Sequence, residues 1–150
     1  MEWMAHTTVA ALIERDGRYL LVEEMTRNGL QVINQPAGHL EAGESLVEAV
    51  MRETLEETAW QFTPEGLVGI YRWQVPPDGA TYIRFCFHGR CHDHRPELPL
   101  DNGILRTLWL SREELAADPM RLRSPMVLRC IDDYRAGARH PLSLLHDLGH

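Results

Sequence analysis

The stretch from residue 38 to residue 60 constrains this chain most, because it joins a glycine-containing loop, a helix start and a dense group of acids. It reads GHLEAGESLVEAVMRETLEETAW. Ser45, followed three residues later by Glu48, forms a capping box, which predicts a helix that begins directly after Ser45. Pro64 and Gly66 lie beyond its predicted end. The stretch therefore predicts a loop that leads into a capped helix.

The apolar and acidic residues of this predicted helix separate on a helical wheel. The packing arc holds Val47, Met51, Thr54, Leu55 and Thr58. The face away from that arc holds Glu53, Glu56 and Glu57. Like charges one turn apart repel each other, and a divalent cation with oxygen ligands relieves this repulsion. The pattern favours a metal site on a helix that packs by its other side, and a solvated acidic face is the alternative.

The loop before the helix contains Gly38 and Gly43, and Glu44 lies just before the cap. Glycine permits backbone conformations or close approaches that a Cβ would forbid, including a main-chain carbonyl turned toward a cation. Arg52, within the helix, has two interpretations. It pairs with an acid such as Glu48 or Glu56, or it fixes the orientation of the neighbouring Glu53 carboxylate through a bidentate bond.

These residues together resemble the Nudix box. The matching positions are Gly38, Glu44, Arg52, Glu53, Glu56, Glu57 and Trp60. Thr54 stands where an aliphatic residue is usual and Ala59 where glycine is usual, which concerns packing and the helix exit rather than ligands. Outside the box, the runs NQPAGHLE and YIRFCF and the ending after Leu122 are similar to the NudJ-type phosphatase subgroup of this family.

The resemblance implies a fold and a reaction. The implied fold is α/β, a Nudix-type α/β/α sandwich with a mixed β-sheet, built from residues 1–150 as one domain. The subgroup is associated with Mg²⁺-dependent removal of phosphate from nucleoside di- and triphosphates and from the pyrimidine pyrophosphate precursor of thiamine. The expected cofactor is therefore Mg²⁺, with Mn²⁺ as a substitute.

The resemblance also implies roles for particular residues. The expected metal ligands are Glu53, Glu56, Glu57 and the main-chain carbonyl of Gly38. Some family members add an acid from a distant loop, for which Asp101 is preferred here over Glu97. Glu53, held by Arg52, is the expected general base, and Glu56 is the alternative. The reaction is attack of water on phosphorus in a phosphoanhydride, assisted by metal ions.

The remaining sequence agrees with one α/β domain. Its predicted elements are a hairpin of residues 7–14 and 19–22 around Asp16-Gly17, a short extended piece at 30–33, antiparallel strands at 67–75 and 81–91, a strand at 104–110, a short helix after Ser111, and a helix from Pro125 to Gly137. Strands, a helix, strands and further helices in this order indicate an α/β sandwich with a mixed or antiparallel sheet.

The composition limits the kinds of molecule that the chain is expected to bind. The chain has 22 acidic and 15 basic residues and a formal charge of -7, so it lacks the positive field that non-specific nucleic-acid binding requires. No segment offers the roughly 20 apolar residues that span a bilayer. The three cysteines include no CxxC pair, which predicts reduced thiols in a cytoplasmic protein. A small phosphorylated molecule is the expected partner, and a homodimer is compatible with the family resemblance.

Several residues outside the box are candidates for substrate contacts. They are His39, Trp73, Arg84, Trp109 and Arg123. An arginine on a strand among aromatic residues favours a phosphate or base contact, whereas core packing is the favoured role for the two tryptophans. Arg123 is equally suited to pairing with an acid, and His39 to hydrogen bonding within its loop. The histidines at 88, 92 and 94 are assigned to a surface loop without a metal.

The leading hypothesis is a Mg²⁺-dependent hydrolase of nucleoside di- and triphosphates or small heterocyclic pyrophosphates. One alternative is a pyrophosphatase of the ADP-ribose type, which acts on nucleoside diphosphate sugars. A non-catalytic Nudix module that binds nucleotides is another, and the retained carboxylates argue against it. A purely solubilising acidic face is the remaining interpretation.

Overall fold

The structure is a computed structural model that describes residues 2–149, so the end positions of the predicted 1–150 domain lie outside the described residues. The strands are β1 (His6–Leu12), β2 (Glu14–Arg15), β3 (Arg18–Met25), β4 (Gln31–Asn34), β5 (Ala37–His39), β6 (Gln61–Gln74), β7 (Thr81–His92) and β8 (Ile104–Ser111). The α-helices are α1 (Leu46–Thr58), α2 (Arg112–Ala116) and α3 (Met126–Arg135). Short 3-10 turns follow at Pro119–Arg121 and Leu142–Leu144.

Four strands form a mixed sheet in the order β5-β1-β7-β6. β1 and β7 run parallel, whereas β5 pairs antiparallel with β1 and β6 pairs antiparallel with β7. The predicted antiparallel pairing of strands at 67–75 and 81–91 is therefore confirmed, although β6 begins at Gln61, earlier than expected. The parallel pairing of β1 with β7 brings distant parts of the chain together, and no local sequence pattern predicts it.

The second sheet is built around β3, which pairs antiparallel with β2, β4 and β8. The predicted Asp16-Gly17 turn connects β2 to β3, and both residues have positive φ, 50° and 78°. The hairpin is shorter than predicted, because only Glu14 and Arg15 pair with β3. The residues before them belong to β1 in the mixed sheet.

The two faces of the mixed sheet are covered by different helices. α1 packs on one face against a core cluster that contains Val9, Ala11 and Phe87. α3 lies on the other face, where Val127 and Cys130 pack with Leu12 and Cys86. Side chains of β3 and β8 extend both layers. The α/β/α sandwich with a mixed sheet is thus confirmed.

Two further expectations concern the chain as a whole. The three cysteines, Cys86, Cys91 and Cys130, are free and buried, as predicted. Within residues 2–149, no helix combines the length and the apolar character needed to cross a bilayer.

Candidate active site

The start of α1 follows from its capping box. The Ser45 hydroxyl accepts a hydrogen bond from the Glu48 backbone N–H at 3.0 Å, and the Glu48 carboxylate accepts one from the Ser45 N–H at 2.9 Å. α1 ends at Thr58, and the cap residue Ala59 has a left-handed φ of 62°. Alanine is strained there, which explains why glycine is usual at this position of the box. The capping box at Ser45 and the left-handed cap residue Ala59 together define the two ends of α1, and therefore the positions of its acidic residues.

Two acids of α1 lie on a packed side of the helix, so the helical-wheel prediction of an acidic face away from packing contacts was wrong on this point. Glu53 and Glu57 are only 8% and 7% exposed, whereas Met51, assigned to the packing arc, is 40% exposed. Ala49 and Val50 are the fully buried apolar residues of the helix. The wheel failed because β5 covers the acidic side of α1, and that contact is tertiary.

An acidic cluster forms where the loop after β7 returns to α1. Ligand-type oxygen atoms of Glu53, Glu56 and Asp101 all lie within 4.8 Å of one another. The loop is tied to the helix by the Asp101 backbone N–H, which donates to the Glu56 carbonyl at 2.8 Å. Glu97, the alternative loop acid, instead pairs with Arg95 at the surface. The structure therefore brings Asp101, rather than Glu97, to the helix acids.

Glu57 lies beside this cluster with a different partner. Its Oε1 accepts a hydrogen bond from the Ala37 backbone N–H at 2.9 Å. Burial, together with the negative charges of Glu53, Glu24 and Asp101, raises the pKa of Glu57 to about 9, although the hydrogen bond from Ala37 acts in the opposite direction. Such a carboxyl requires a nearby positive charge in order to ionise at neutral pH.

Arg52 holds the acids of this region in place. Its Nε and Nη2 donate to the two carboxylate oxygens of Glu44 at 3.0 and 2.7 Å, a bidentate pair. Its Nη1 donates to Glu53 at 2.9 Å and to Glu56 at 3.3 Å. Nη2 also donates to the carbonyl of His39 at 3.1 Å. The bidentate partner is thus Glu44, while Glu53 is oriented by a single hydrogen bond.

Glu53 combines burial with this positive neighbour. Burial raises the pKa of Glu53 to about 6, while the hydrogen bond and charge of Arg52 oppose the shift. The Glu53 carboxylate also lies against Gly38 in β5, where a Cβ would collide with its carboxylate atoms. Gly38 is therefore required for the close approach of Glu53 to the strand. A carboxyl with a pKa near neutrality is suited to accepting a proton at physiological pH.

The residues predicted to contact substrate fall into two groups. Arg84 on β7 is 4% exposed and donates to Gln35 Oε1 at 2.8 Å and to Asn34 Oδ1 at 3.2 Å. His39 and Trp73 lie on the same face of the mixed sheet as Arg84, because strand residues two apart and their cross-strand partners share a face. The structure therefore places these three residues on one face of the mixed sheet, with His39 and Trp73 on its two edge strands.

Trp109 and Arg123 lie elsewhere. Trp109 packs against the core cluster on the α1 side, where the Arg15 guanidinium is 5.5 Å from its ring centroid. Arg123 pairs with Glu24 at 2.7 Å, the acid pairing that the sequence left open. These contacts account for both side chains structurally.

Sequence reasoning missed Asn34, Gln35, His6 and Tyr82 around Arg84. Asn34 and Gln35 are buried polar residues at the end of β4, in the run NQP. Two adjacent amides at the end of an apolar strand are unusual enough to have signalled a polar site. No local signal identified His6 or Tyr82, because their proximity depends on the β1–β7 pairing.

Comparison with known proteins agrees with this geometry. The family model for the NUDIX domain matches residues 4–129. The chain therefore belongs to the Nudix family, and it is a Nudix hydrolase. Among curated relatives, it is 41% identical over 142 residues to the phosphatase NudJ of Escherichia coli strain K12, covering 95% of this chain and 91% of the relative.

Solved structures show the same fold. A NUDIX hydrolase from Nitrosomonas europaea superposes with a TM-score of 0.93 at 49% identity, covering 96% of this chain and 97% of that one. The solution structure of the E. coli ORF135 protein superposes with a TM-score of 0.72 at 25% identity, covering 89% and 93%.

Proposed function

We propose that this protein hydrolyses phosphoanhydride bonds of nucleoside di- and triphosphates or of small heterocyclic pyrophosphates, with Mg²⁺ as cofactor and Mn²⁺ as a substitute. The observation that carries the proposal is the convergence of Glu53, Glu56 and Asp101 within 4.8 Å. The name of the E. coli relative, a phosphatase, supports release of phosphate as the outcome. Three free thiols fit a cytoplasmic location.

The donor set fits a hard divalent cation. The cluster offers only carboxylate oxygens, a ligand type that Mg²⁺ prefers. Glu57 on the same helix and the main-chain carbonyl of Gly38 on β5 are further oxygen ligands. The positively charged Arg52 side chain contacts the helix acids, and its ion pairs are shared among Glu44, Glu53 and Glu56. A bound cation supplies charge neutralisation of the transferring phosphoryl group and a lower pKa for the attacking water.

The residues of the chain have separate tasks in the hydrolytic step. A water oxygen bonds to phosphorus as the phosphoanhydride P–O bond breaks, and the water gives its proton to a carboxylate. Glu53 is the proposed acceptor, because its pKa is about 6 and Arg52 holds one of its oxygens. Glu56, which is exposed and also bonded to Arg52, is the alternative acceptor.

A substrate panel tests the function. Nucleoside di- and triphosphates, heterocyclic pyrophosphates and ADP-ribose would be incubated with folded protein and Mg²⁺ or EDTA, and each product identified by ³¹P NMR. We expect Mg²⁺-dependent release of phosphate. Cleavage of ADP-ribose into two monophosphates would identify the ADP-ribose type instead. Absence of turnover for every compound would refute the proposal.

The general base can be assigned separately. Glu53→Gln and Glu56→Gln would be compared across a pH series at saturating Mg²⁺. In the variant that lacks the general base, kcat should fall by roughly 100-fold or more. The decrease of kcat at acidic pH, which reports protonation of the base, should also disappear in that variant. The residue whose variant retains that decrease has a ligand or structural role.

A further inference from the structure

The loop of residues 93–103, which connects β7 to β8, carries Asp101, and we call it the Asp101 loop. No helix or strand forms within these residues. Its backbone makes local turns, in which the Leu98 N–H donates to the Arg95 carbonyl at 3.0 Å and the Ile104 N–H donates to the Asp101 carbonyl at 3.1 Å. Local turns do not fix a loop relative to the scaffold that carries it. The position of the Asp101 carboxylate therefore depends on contacts between the loop and α1.

Two backbone hydrogen bonds dock the Asp101 loop on the C-terminal end of α1. The Arg95 N–H donates to the carbonyl of Ala59 at 2.9 Å, and the Asp101 N–H donates to the carbonyl of Glu56 at 2.8 Å. The last carbonyls of a helix have no partner within the helix, so donors from elsewhere are needed to satisfy them. The loop therefore caps the helix, and the helix in turn holds the loop.

A stacked pair of rings lies beside one of these hydrogen bonds. The His94 ring stacks on the Trp60 indole, with ring centroids 4.3 Å apart and an interplanar angle of 16°. His94 directly precedes Arg95 in the loop, and Trp60 directly follows Ala59 at the end of the helix. His94 is an exposed residue, whereas Trp60 is partly buried. The indole is thus a surface of the folded core on which the start of the Asp101 loop rests.

The Trp60 indole is itself held by the rest of the fold. It packs against the core cluster that contains Phe87. The Arg15 guanidinium lies over its ring, 4.7 Å from the centroid, and Nη2 of this arginine donates to the Cys91 carbonyl at 3.0 Å. A cation over an aromatic face is attracted to it, and the hydrogen bond to β7 fixes that cation. A side chain locked by packing in this way can position another group.

The acidic cluster needs such a contact because its members repel each other. Ligand-type oxygen atoms of Asp101, Glu53 and Glu56 lie within 4.8 Å of one another. Like charges at this separation repel, and the strain is relieved most easily by moving the exposed loop acid rather than the helix. Contacts that hold the loop from outside the cluster oppose this movement. The stack of His94 on Trp60 is a contact of this kind.

We propose that Trp60 and His94 are positioning residues, which hold the Asp101 loop against α1 so that the Asp101 carboxylate stays in the metal-binding arrangement. The proposal rests on the proposed function only in taking Asp101 as a metal ligand. Without the stacked rings, a smaller fraction of molecules has the loop docked. Only a docked loop supplies the third carboxylate, so the apparent affinity for a cation falls in proportion to that fraction.

Amide hydrogen exchange in EDTA tests the docking without metal or substrate. The ¹⁵N-labelled wild type, His94→Ala and Trp60→Leu would be compared by NMR. We expect the Arg95 and Asp101 amides to exchange at least about fivefold faster in both variants. The Leu20 amide, which is hydrogen-bonded in the core, should be unchanged and reports global stability. Unchanged exchange at Arg95 and Asp101 in both variants would overturn the proposal.

Mn²⁺ binding, followed by electron paramagnetic resonance, connects the docking to the metal site. His94→Ala and Trp60→Leu should each weaken Mn²⁺ by at least about threefold. His94→Tyr, which keeps a ring for the stack, and the exposed control His146→Ala should stay near wild type. If Trp60→Leu does not fold, His94→Ala and His94→Tyr still decide the question. Equal affinity of wild type and His94→Ala would refute the role of the stack.

A double-mutant cycle separates positioning from general damage. In the Asp101→Asn background, His94→Ala should weaken Mn²⁺ less than it does in the wild-type background, because no third carboxylate remains to be positioned. Equal weakening in the two backgrounds would show that the stacked rings do not act through Asp101, and would overturn the proposal.

The proposed function and the positioning role can fail separately. Absence of hydrolysis for every substrate, together with the expected exchange and Mn²⁺ results, would refute the hydrolase proposal and support the positioning role. Mg²⁺-dependent hydrolysis by wild type, together with unchanged amide exchange in His94→Ala and Trp60→Leu, would support the hydrolase and refute the positioning role.

Discussion

At the residue scale, Glu57 carries a carboxyl group in surroundings that favour its neutral form. Its pKa of about 9 lies above the value of about 4.3 expected in an unfolded chain. Between these values the folded state holds a proton that the unfolded state releases. This group therefore lowers the stability of the metal-free protein progressively as pH rises from about 4.5 to about 9.

Glu57→Gln should reverse this dependence. The glutamine oxygen can still accept from the Ala37 N–H, and no charge has to be buried. At pH 8 without metal, we expect the variant to be more stable than wild type by on the order of 1 to 3 kcal/mol, with little difference at pH 5. Urea denaturation at both pH values measures this effect, with the exposed Glu65→Gln as control. Equal pH dependence in wild type and Glu57→Gln would contradict the burial of a protonated acid.

Gly38 is the residue whose side chain would most directly disturb the cluster. Gly38→Ala places a methyl group against the Glu53 carboxylate, so Mg²⁺ affinity and kcat should fall by roughly 10- to 100-fold. Glu53→Asp shortens the side chain that the added methyl group displaces. Its effect on Mg²⁺ affinity and kcat should therefore be smaller in the Gly38→Ala background than in the wild-type background. Additive losses in this double-mutant cycle would show that the two residues do not interact.

At the element scale, α1 is positioned by its first turn. Ser45→Ala removes the cap acceptor for the Glu48 N–H and should destabilise the protein by about 1 kcal/mol, without a matching loss of kcat at temperatures where it remains folded. Thermal unfolding measures the loss, and Ser111→Ala, at the same type of box before α2, is the matched comparison. An unchanged melting temperature for Ser45→Ala would contradict this role of the cap.

Local signals explain why the elements were predictable. The capping boxes at Ser45 and Ser111, the Asp16-Gly17 turn and the stop at Gly137 each act within a few residues, and each was found in the structure. Boundaries were less accurate where the signal was weak. α3 begins at Met126, with Pro125 as its cap, one residue later than predicted.

Tertiary contacts explain what remained unpredictable. The wheel placed Glu53 and Glu57 on a face away from packing contacts because it contains no information about β5, which covers them. The choice between Glu97 and Asp101 depended on how the loop after β7 folds back, and the Asp101–Glu56 backbone hydrogen bond decides the geometry. Arg84 was recognised as a candidate, but its buried amide partners come from another sheet.

At the scale of the whole molecule, the acidic cluster joins α1 to the loop after β7. A bound cation should therefore stabilise the fold by mass action, raising the melting temperature with Mg²⁺ concentration. This rise should be absent in Glu56→Gln and retained in Glu65→Gln. Equal stabilisation of all three proteins would indicate cation binding elsewhere.

The homodimer stays a prediction, which sedimentation equilibrium can test.

The central claim is that Glu53, Glu56 and Asp101 hold the divalent cation, and a Mn²⁺ titration followed by electron paramagnetic resonance tests it most directly. Wild type, Glu56→Gln, Asp101→Asn and the control Glu65→Gln would be titrated under identical conditions. The structure predicts that both cluster variants bind Mn²⁺ at least about tenfold more weakly than wild type, whereas Glu65→Gln matches it. Binding isotherms that coincide for all four proteins would contradict the claim.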